Sequence, residues 1–153
     1  MSADAAVPTA LLVGTLDTKG AEYEFVRARL RAAGLEALLL DVGVLGDPAV
    51  VPDISSMEVA EAAGTDLGAL RFTREGSDTR AVALEPMQRG ATTIVTRLVD
   101  EGRVHAVFGM GGSGGSQLIS GVMRALPFGM PKLLLSTMAS GDVSGYVGAS
   151  DLA

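Results

Sequence analysis

The sequence has no cysteine and a single histidine, His105. Without cysteine the chain can form no disulfide, thiolate nucleophile or cysteine-ligated zinc site. A lone histidine cannot supply the paired-histidine spacing of zinc enzymes, so a transition-metal site is not expected. Aromatic residues make up only 4% of the chain. The core is therefore expected to consist of Ala, Val, Leu, Ile and Met.

Basic clusters and long apolar runs are also missing. The 12 Lys and Arg residues form no run, and the formal net charge is −6, which argues against binding to duplex nucleic acid because phosphate backbones require clustered cations. No apolar stretch approaches the roughly 18 residues of a membrane span, and the N-terminus lacks the basic region of a signal peptide. We therefore expect a cytoplasmic protein that binds neither nucleic acid nor membranes, and a homo-oligomer is compatible with this composition.

What the sequence does contain is typical of one globular domain. Hydrophobic residues account for 48% and charged residues for 20% of 153 residues, enough apolar material for a core. The first part predicts a buried strand over 9–14, a helix over 21–34 that ends at Gly34, and a second strand over 35–43 that ends near Asp41. Together they form a β-α-β unit.

The later segments continue the alternation. Ser55 and Glu58 have the spacing of a capping box for a short helix that ends at Gly64. The following pattern predicts a helix over 78–102 with a kink or split at Pro86 and Gly90, a strand over 104–109, a helix over 115–126, a strand over 131–137 and a short fifth strand over 145–150.

Strands that are apolar throughout and alternate with helices predict a parallel sheet covered on both faces. We expect residues 1–153 to form a single α/β domain, a Rossmann-like, doubly wound, mainly parallel sheet with the strand order 2-1-3-4. The first and third strands are then neighbours at the switch point, where ligands of such folds bind beyond the carboxyl ends of the strands. Three polar or glycine-rich loops are expected there: 14–20 (GTLDTKG), 109–115 (GMGGSGG) and 136–142 (STMASGD).

Residues 109–116, called the glycine segment below, contain five glycines and two serines. Gly109, Gly111 and Gly114 satisfy the dinucleotide pattern G-x-G-x-x-G, but Ser136 and Thr137 stand at the end of the next strand, where an acidic residue normally holds the ribose. The segment favours a phosphate-binding, glycine-rich loop formed by backbone N–H groups, the Ser113 and Ser116 hydroxyls and a helix N-terminus. The alternative is a tight turn that binds no ligand.

A nucleophile elbow, G-x-S-x-G, also occurs around Ser113. The hydrolase triad that uses this motif needs a histidine later in the chain, and none follows Ser113. His105 is interpreted as a packed residue inside the third strand. A histidine-activated serine is therefore not expected.

The flanking loops offer polar groups. Asp17 could hold a ribose hydroxyl or Mg²⁺ and Lys19 a phosphate, or Asp17 and Thr18 could only cap the first helix. The third loop offers hydroxyls and a flexible Gly141, while Asp142 is expected to cap a turn. The arginines of the central polar connection either form a solvated surface or reach over a bound phosphate; they are Arg71, Arg74 and Arg80.

The segments GTLDTKGAEYEF, GMGGSGGS and LLLSTMASGDVSGYVGASDL occur in this order, and together they resemble the tobamovirus-resistance-protein-like family of uncharacterised proteins. The resemblance implies an N-terminal, Rossmann-like, ATP-binding domain, followed by a larger barrel-like C-terminal domain that would be its partner. It also implies that the nucleotide lies on the glycine segment, with the other two loops beside it. The binding residues implied are Thr15, Asp17, Thr18, Lys19, Gly111, Gly112, Ser113, Gly114, Gly115, Ser116, Thr137, Ala139, Ser140 and Gly141.

Three functions remain open. The first is a domain that binds ATP, with or without Mg²⁺, or another phosphate-bearing small molecule. The second is half of a phosphoryl- or acyl-transfer site in which Asp17 or Asp142 holds Mg²⁺ and Lys19 stabilises charge. The third is an interaction module in which the glycines are purely structural.

Overall fold

A computed structural model describes residues 6–72 and 78–153. Within these ranges four strands form one sheet: β1 (Thr9–Gly14), β2 (Glu36–Asp41), β3 (Ala106–Gly111) and β4 (Lys132–Ser136). All neighbouring strands are parallel, and their order is β2-β1-β3-β4. The predicted α/β class, the strand order 2-1-3-4 and the first four predicted strands are confirmed.

Helices connect the strands. The described residues form α1 (Leu16–Ala32), α2 (Ser56–Ala62), α3 (Leu67–Arg71), α4 (Thr79–Asp100), α5 (Ser113–Arg124) and α6 (Ser144–Val147), with a 3₁₀ helix over Thr137–Ser140. None of these helices has the length and apolar character that crossing a membrane requires.

The sheet is covered on both faces because alternate residues of each strand point to opposite sides. On one face, Leu12 and Leu39 pack with Leu16 and Tyr23 of α1. On the other, residues such as Leu11 pack in a larger cluster with α2, α4 and α5. Helices on opposite faces of a parallel sheet are the arrangement of a doubly wound fold, and they leave the carboxyl ends of β1 and β3 side by side.

Part of β4 lacks such a cover. Leu133 and Leu135 are 53% and 63% exposed. They lie on the same face of the sheet as α1, which does not cover β4. The outer edge of β4 meets the end of the described chain, where the Ala153 N–H donates to the Lys132 carbonyl at 3.2 Å and the Leu134 N–H donates to the Ala153 carbonyl at 2.8 Å. These two bonds have the pattern of parallel strand pairing.

Three details of the predicted elements differ from the structure. Of the kink or split predicted for the helix over 78–102, the split is absent: α4 runs unbroken through Pro86 and Gly90. A Cβ at Gly90 would lie 1.9 Å from the Val59 carbonyl oxygen, so this glycine permits the close crossing of α2 and α4. The fifth strand is the helix α6, which Arg124 of α5 holds through the Gly145 and Tyr146 carbonyls.

The third error concerns His105. It lies just before β3 and is exposed, and its Nδ1 accepts the Thr9 N–H at 3.0 Å. Thr9 begins β1, so the histidine joins two strands at their amino ends, away from the crevice. Arg74 lies outside the described residues.

Candidate functional site

A cavity of about 720 Å³ opens at the carboxyl ends of β1 and β3. Its walls come from residues 15–19, 42–45, 78–87 and 111–118, together with Tyr146 of α6. Nine of the residues proposed from the sequence line it: Thr15, Asp17, Thr18, Lys19, Gly111, Gly112, Ser113, Gly114 and Gly115. Two segments distant in sequence thus meet in one cavity, as the predicted topology requires.

The third loop lies beside this cavity. Thr137 lines a smaller depression of about 240 Å³ that it shares with Lys19 and Gly111, and its Oγ1 is 3.9 Å from the position of a Cβ on Gly112. Ala139, Ser140 and Gly141 are exposed and line neither cavity.

The glycine segment is not a loop. Gly109 to Gly111 belong to β3, and α5 begins at Ser113, so only Gly112 lies between strand and helix. The expectation of a glycine-rich loop is corrected in this respect. The shortness of the connection aims the first turn of α5 directly at the cavity.

The glycines of this segment fall into two groups. A Cβ on Gly109 would lie 2.5 Å from Ile119, and one on Gly111 would lie 3.1 Å from the backbone of Gly115, so packing within the protein explains both. A Cβ on Gly112, in contrast, would meet no atom of the described residues closer than 3.9 Å, and one on Gly114 or Gly115 would meet none of these atoms within 4 Å.

Backbone conformation does not explain the second group either. The glycines with positive φ are Gly34, Gly64, Gly102, Gly129 and Gly148, all outside the segment. Gly112 has a φ of −80°, which any L-residue adopts. Neither a turn nor the packing of the described residues therefore requires glycine at these three positions.

The N-terminus of α5 also differs from those of the other helices. Side-chain oxygens of Ser55, Asp66 and Asp78 accept N–H bonds in the first turns of α2, α3 and α4, and Asp142 accepts the Ser144 N–H of α6 at 2.9 Å. At α1 the carboxylate of Asp41 accepts the Leu16 N–H. At α5 the N-cap residue is Gly112, which has no side chain to accept such a bond. In the described part of the chain, the N–H groups of Ser113, Gly114 and Gly115 have no protein acceptor.

Ser116 does not present its hydroxyl to the cavity. The residue is fully buried, and its Oγ lies 3.3 Å from the Gly111 carbonyl oxygen and 2.5 Å from Ser136 Oγ. Ser136 Oγ in turn accepts the Met138 N–H at 3.1 Å. Ser116 thus links α5 to β4. Of the two serines whose hydroxyls were expected to bind phosphate, Ser113 is exposed and Ser116 is buried.

Lys19 stands where α1 is irregular. Its φ and ψ of −130° and 22° interrupt the helix, and its side chain lines both cavities. Among the described residues it makes no ion pair. Arg80, at the start of α4, lines the larger cavity as a second cation.

Asp17 ties a loop together and is only partly available to a ligand. Its Oδ2 accepts the N–H groups of Leu45 and Gly46 at 2.9 and 3.2 Å. Its Oδ1 is buried without a partner, and a Cβ on Gly43 would lie 2.6 Å from it. Thr18 interacts mainly with Thr15, since the two hydroxyl oxygens are 2.9 Å apart.

Asp41 is a residue of this site that the sequence reasoning missed. It is fully buried at the end of β2, where its Oδ1 accepts the Leu16 N–H at 3.0 Å and the Gly43 N–H at 2.8 Å. Burial raises the pKa of this carboxyl, although the two N–H bonds act in the opposite direction. Asp41 therefore caps α1 from a neighbouring strand, so the α1 N-terminus already has an acceptor while that of α5 does not. An acidic residue closing the apolar run EALLLD was the available signal.

No cluster of metal-ligating side chains lies at the cavity within the part of the chain that the structure describes. Residues 6–72 and 78–153 contain no group of three His, Cys, Asp or Glu side chains that could hold an ion. Asp142 is exposed, and the Ser144 N–H lowers the pKa of its carboxyl. It caps the turn before α6, as predicted.

Comparison with known proteins identifies the family. The profile of the Uncharacterised protein family (UPF0261) N-terminal domain matches residues 8–153. The chain belongs to the UPF0261 family. This UPF0261 domain is 40% identical over 142 residues to a UPF0261 protein of Clostridium tetani, a match that covers 93% of this chain and 34% of that protein. A UPF0261 protein of Rhizobium meliloti is also 40% identical, over 92% of this chain and 33% of its own length.

The resemblance to a plant resistance protein is partial. The ToMV resistance protein Tm-1(GCR237) of Solanum lycopersicum is 42% identical over 76 residues, which are 50% of the UPF0261 domain and 10% of the tomato protein. The expected relation to a family of uncharacterised proteins is confirmed. The chain spans about a third of the length of the bacterial relatives named above.

Proposed function

We propose that this domain binds ATP or a related nucleotide, and that it does so mainly through the phosphate groups at the N-terminus of α5. The observation that carries the proposal is the open space at Gly112, Gly114 and Gly115. A glycine inside a helix costs roughly 0.5 to 1 kcal/mol of stability relative to alanine. Gly112 is also an ordinary N-cap residue. Neither φ nor the packing of the described residues requires Gly114 and Gly115, and contact between a ligand and the backbone is a physical reason for both.

The charge distribution supports an anionic ligand. The N-terminus of a helix carries about half a positive charge, and its free N–H groups bind phosphate well. Three such groups, on Ser113 to Gly115, point from α5 without a protein acceptor. Lys19 and Arg80 add positive charge to the same cavity, and the carboxylates of Asp17 and Asp78 balance it. The α5 N-terminus is therefore the part of the wall that attracts an anion.

The cavity also suits the remainder of a nucleotide. Its volume of about 720 Å³ lies within the roughly 300 to 1,000 Å³ of small-molecule sites. Its wall also includes the apolar residues Val44, Leu84 and Met87. We infer that the base lies against these side chains and that phosphate contributes more of the affinity, because apolar side chains offer the base no hydrogen bonds.

Mg²⁺ accompanying ATP would be held mainly by phosphate oxygens. The lining carboxylates are those of Asp17 and Asp78. The free oxygen of Asp17 is covered, since it is buried and a Cβ on Gly43 would lie 2.6 Å from it. The same covering weakens the rival proposal of a phosphoryl- or acyl-transfer half-site, since neither Asp17 nor the turn-capping Asp142 stands ready as a metal ligand.

Calorimetry tests the proposal directly. ADP should bind more tightly than adenosine, and inorganic phosphate should compete with ADP. Equal binding of adenosine and ADP, without competition by phosphate, would contradict the phosphate site. Hydrolysis of ATP by the chain would favour the enzyme, whereas no binding at all would favour an interaction module.

We further propose that the domain is the nucleotide-holding N-terminal part of a longer cytoplasmic protein. The family profile describes an N-terminal domain, and the exposed Leu133 and Leu135 of β4 are the apolar surface that further polypeptide would cover. Amide hydrogen exchange in β4 should then be slower in a full-length family member than in this chain; equal rates would contradict the proposal.

A further inference from the structure

The last contact between β1 and β3 passes through a side chain. Direct pairing of the two strands ends at Val13 and Gly109. One residue further along β3, the Met110 N–H donates to the Tyr23 hydroxyl oxygen at 2.7 Å, and this hydroxyl donates to the Val13 carbonyl at 2.6 Å. The hydroxyl of Tyr23, a residue of α1, thus lies between the two strands at the point where the crevice opens.

The surroundings of Tyr23 are built for this position. The residue is fully buried, and burial raises the pKa of its phenol, so it remains a neutral hydrogen-bond donor. A Cβ on Gly14 would lie 2.1 Å from the ring. The ring packs edge-on against Phe108 with a centroid distance of 6.4 Å. Gly14, the last residue of β1, therefore leaves the space that the ring occupies.

We propose that Tyr23 is a positioning residue for the ligand site: its hydroxyl fixes where β3 leaves β1 and thereby where the α5 N-terminus stands. Met110 is followed at once by Gly111, and Gly112 is the only residue before α5. A displacement of Met110 therefore reaches the free N–H groups of α5 through two residues. The effect on ligand affinity rests on the proposed function, whereas the effect on the position of β3 does not.

The variant Tyr23→Phe removes the hydroxyl and keeps the ring. The matched control is Ile94→Val, a change in the opposite core cluster that lowers stability without touching β1, β3 or α5 through a hydrogen bond. For the ligand-free chains, amide exchange is measured at Met110. We expect this amide to exchange at least about tenfold faster in Tyr23→Phe, since it loses its acceptor, and to be unchanged in the control apart from the global loss of stability.

Affinity for ADP provides the second measurement. The loss of one positioning hydrogen bond, of about 1 kcal/mol in typical proteins, corresponds to roughly a fivefold weakening. We expect this in Tyr23→Phe but not in Ile94→Val at a similar loss of Tm. Equal ADP affinity in both variants, or unchanged exchange at Met110, would overturn the inference. If wild-type protein does not bind ADP, the proposed function fails, and the exchange comparison still decides the role of Tyr23.

A measurement on the wild-type chain covers the case in which Tyr23→Phe does not fold. The Tyr23 hydroxyl proton should be visible by NMR as a slowly exchanging resonance with a nuclear Overhauser effect to the Met110 amide. A hydroxyl proton that exchanges rapidly with water, or that shows no such effect, would overturn the inference without any variant.

Discussion

Replacing Gly114 and Gly115 by alanine should make the protein more stable and its ligand binding weaker. Both residues lie in the first turn of α5, and the added methyl groups meet no atom of residues 6–72 and 78–153 within 4 Å. Gly→Ala in a helix gains roughly 0.5 to 1 kcal/mol per site, so the double variant should gain about 1 to 2 kcal/mol. For a domain of this size, each kcal/mol raises Tm by roughly 2 to 4 °C.

The same methyl groups should obstruct a bound phosphate. Cα–Cβ bonds in a helix tilt toward its N-terminus, so both methyls stand beside the free N–H groups that the ligand is proposed to contact. N–H···O bonds need about 2.7 to 3.2 Å between heavy atoms. We therefore expect ADP affinity to fall at least about tenfold, which corresponds to ~1.4 kcal/mol.

Thermal unfolding and calorimetry on the same samples separate the two effects. Thr93→Ala is the matched control, because Thr93 is an exposed position on α4 outside the cavity lining. A double variant that is stabilised but binds ADP like the wild type would refute the reasoning that a ligand occupies the open space. A destabilised variant would show that the space is not open.

Four further substitutions test other parts of the structure. Lys19→Ala should weaken ADP binding by roughly 1 to 3 kcal/mol, as for hydrogen bonds to charged groups, with an unchanged Tm; unchanged calorimetric affinity would assign Lys19 to the solvated surface. Ser116→Ala should lower Tm and leave ADP affinity intact, because its hydroxyl bonds within the protein, whereas Ser113→Ala should do the reverse; the opposite pattern would exclude this division of roles. Asp151 accepts a bond from Lys132 at 2.5 Å, which lowers the pKa of its carboxyl, so its contribution is present above the unfolded-state pKa of about 4 and is lost as pH falls further. Asp151→Asn should therefore flatten the loss of stability on acidification below about pH 4 in urea titrations, and an unchanged slope would contradict this.

Most of the fold could be predicted because its strands are continuous apolar runs, and the helices between them have recognisable ends. The polar start of α1 was missed because residues 15–19 look like a loop. The helix begins at Leu16, whose N–H is accepted by the distant Asp41 carboxylate. Residues 145–150 looked like a strand because local pattern cannot show that Arg124 holds this segment as a helix.

The candidate site was predicted in outline and corrected in detail. Composition revealed that the glycine segment is unusual. Only coordinates separate Gly109, where a Cβ would clash with Ile119, from Gly114, where a Cβ would meet no described atom within 4 Å. In the same way a serine's hydroxyl can face the cavity or the core, and Ser116 faces the core. Such distinctions depend on three-dimensional neighbours that no spacing in the sequence encodes.

The amide signals of Ser113, Gly114 and Gly115 provide the most direct test of the central claim. In ¹H–¹⁵N spectra of the wild-type chain, titration with ADP should shift these three amide signals most. The amide signals of the first turn of α2, which the Ser55 side chain caps, should not shift. Adenosine at the same concentration should move them little. If ADP binds and leaves these amides unmoved, or if adenosine moves them equally, phosphate is not bound at the N-terminus of α5.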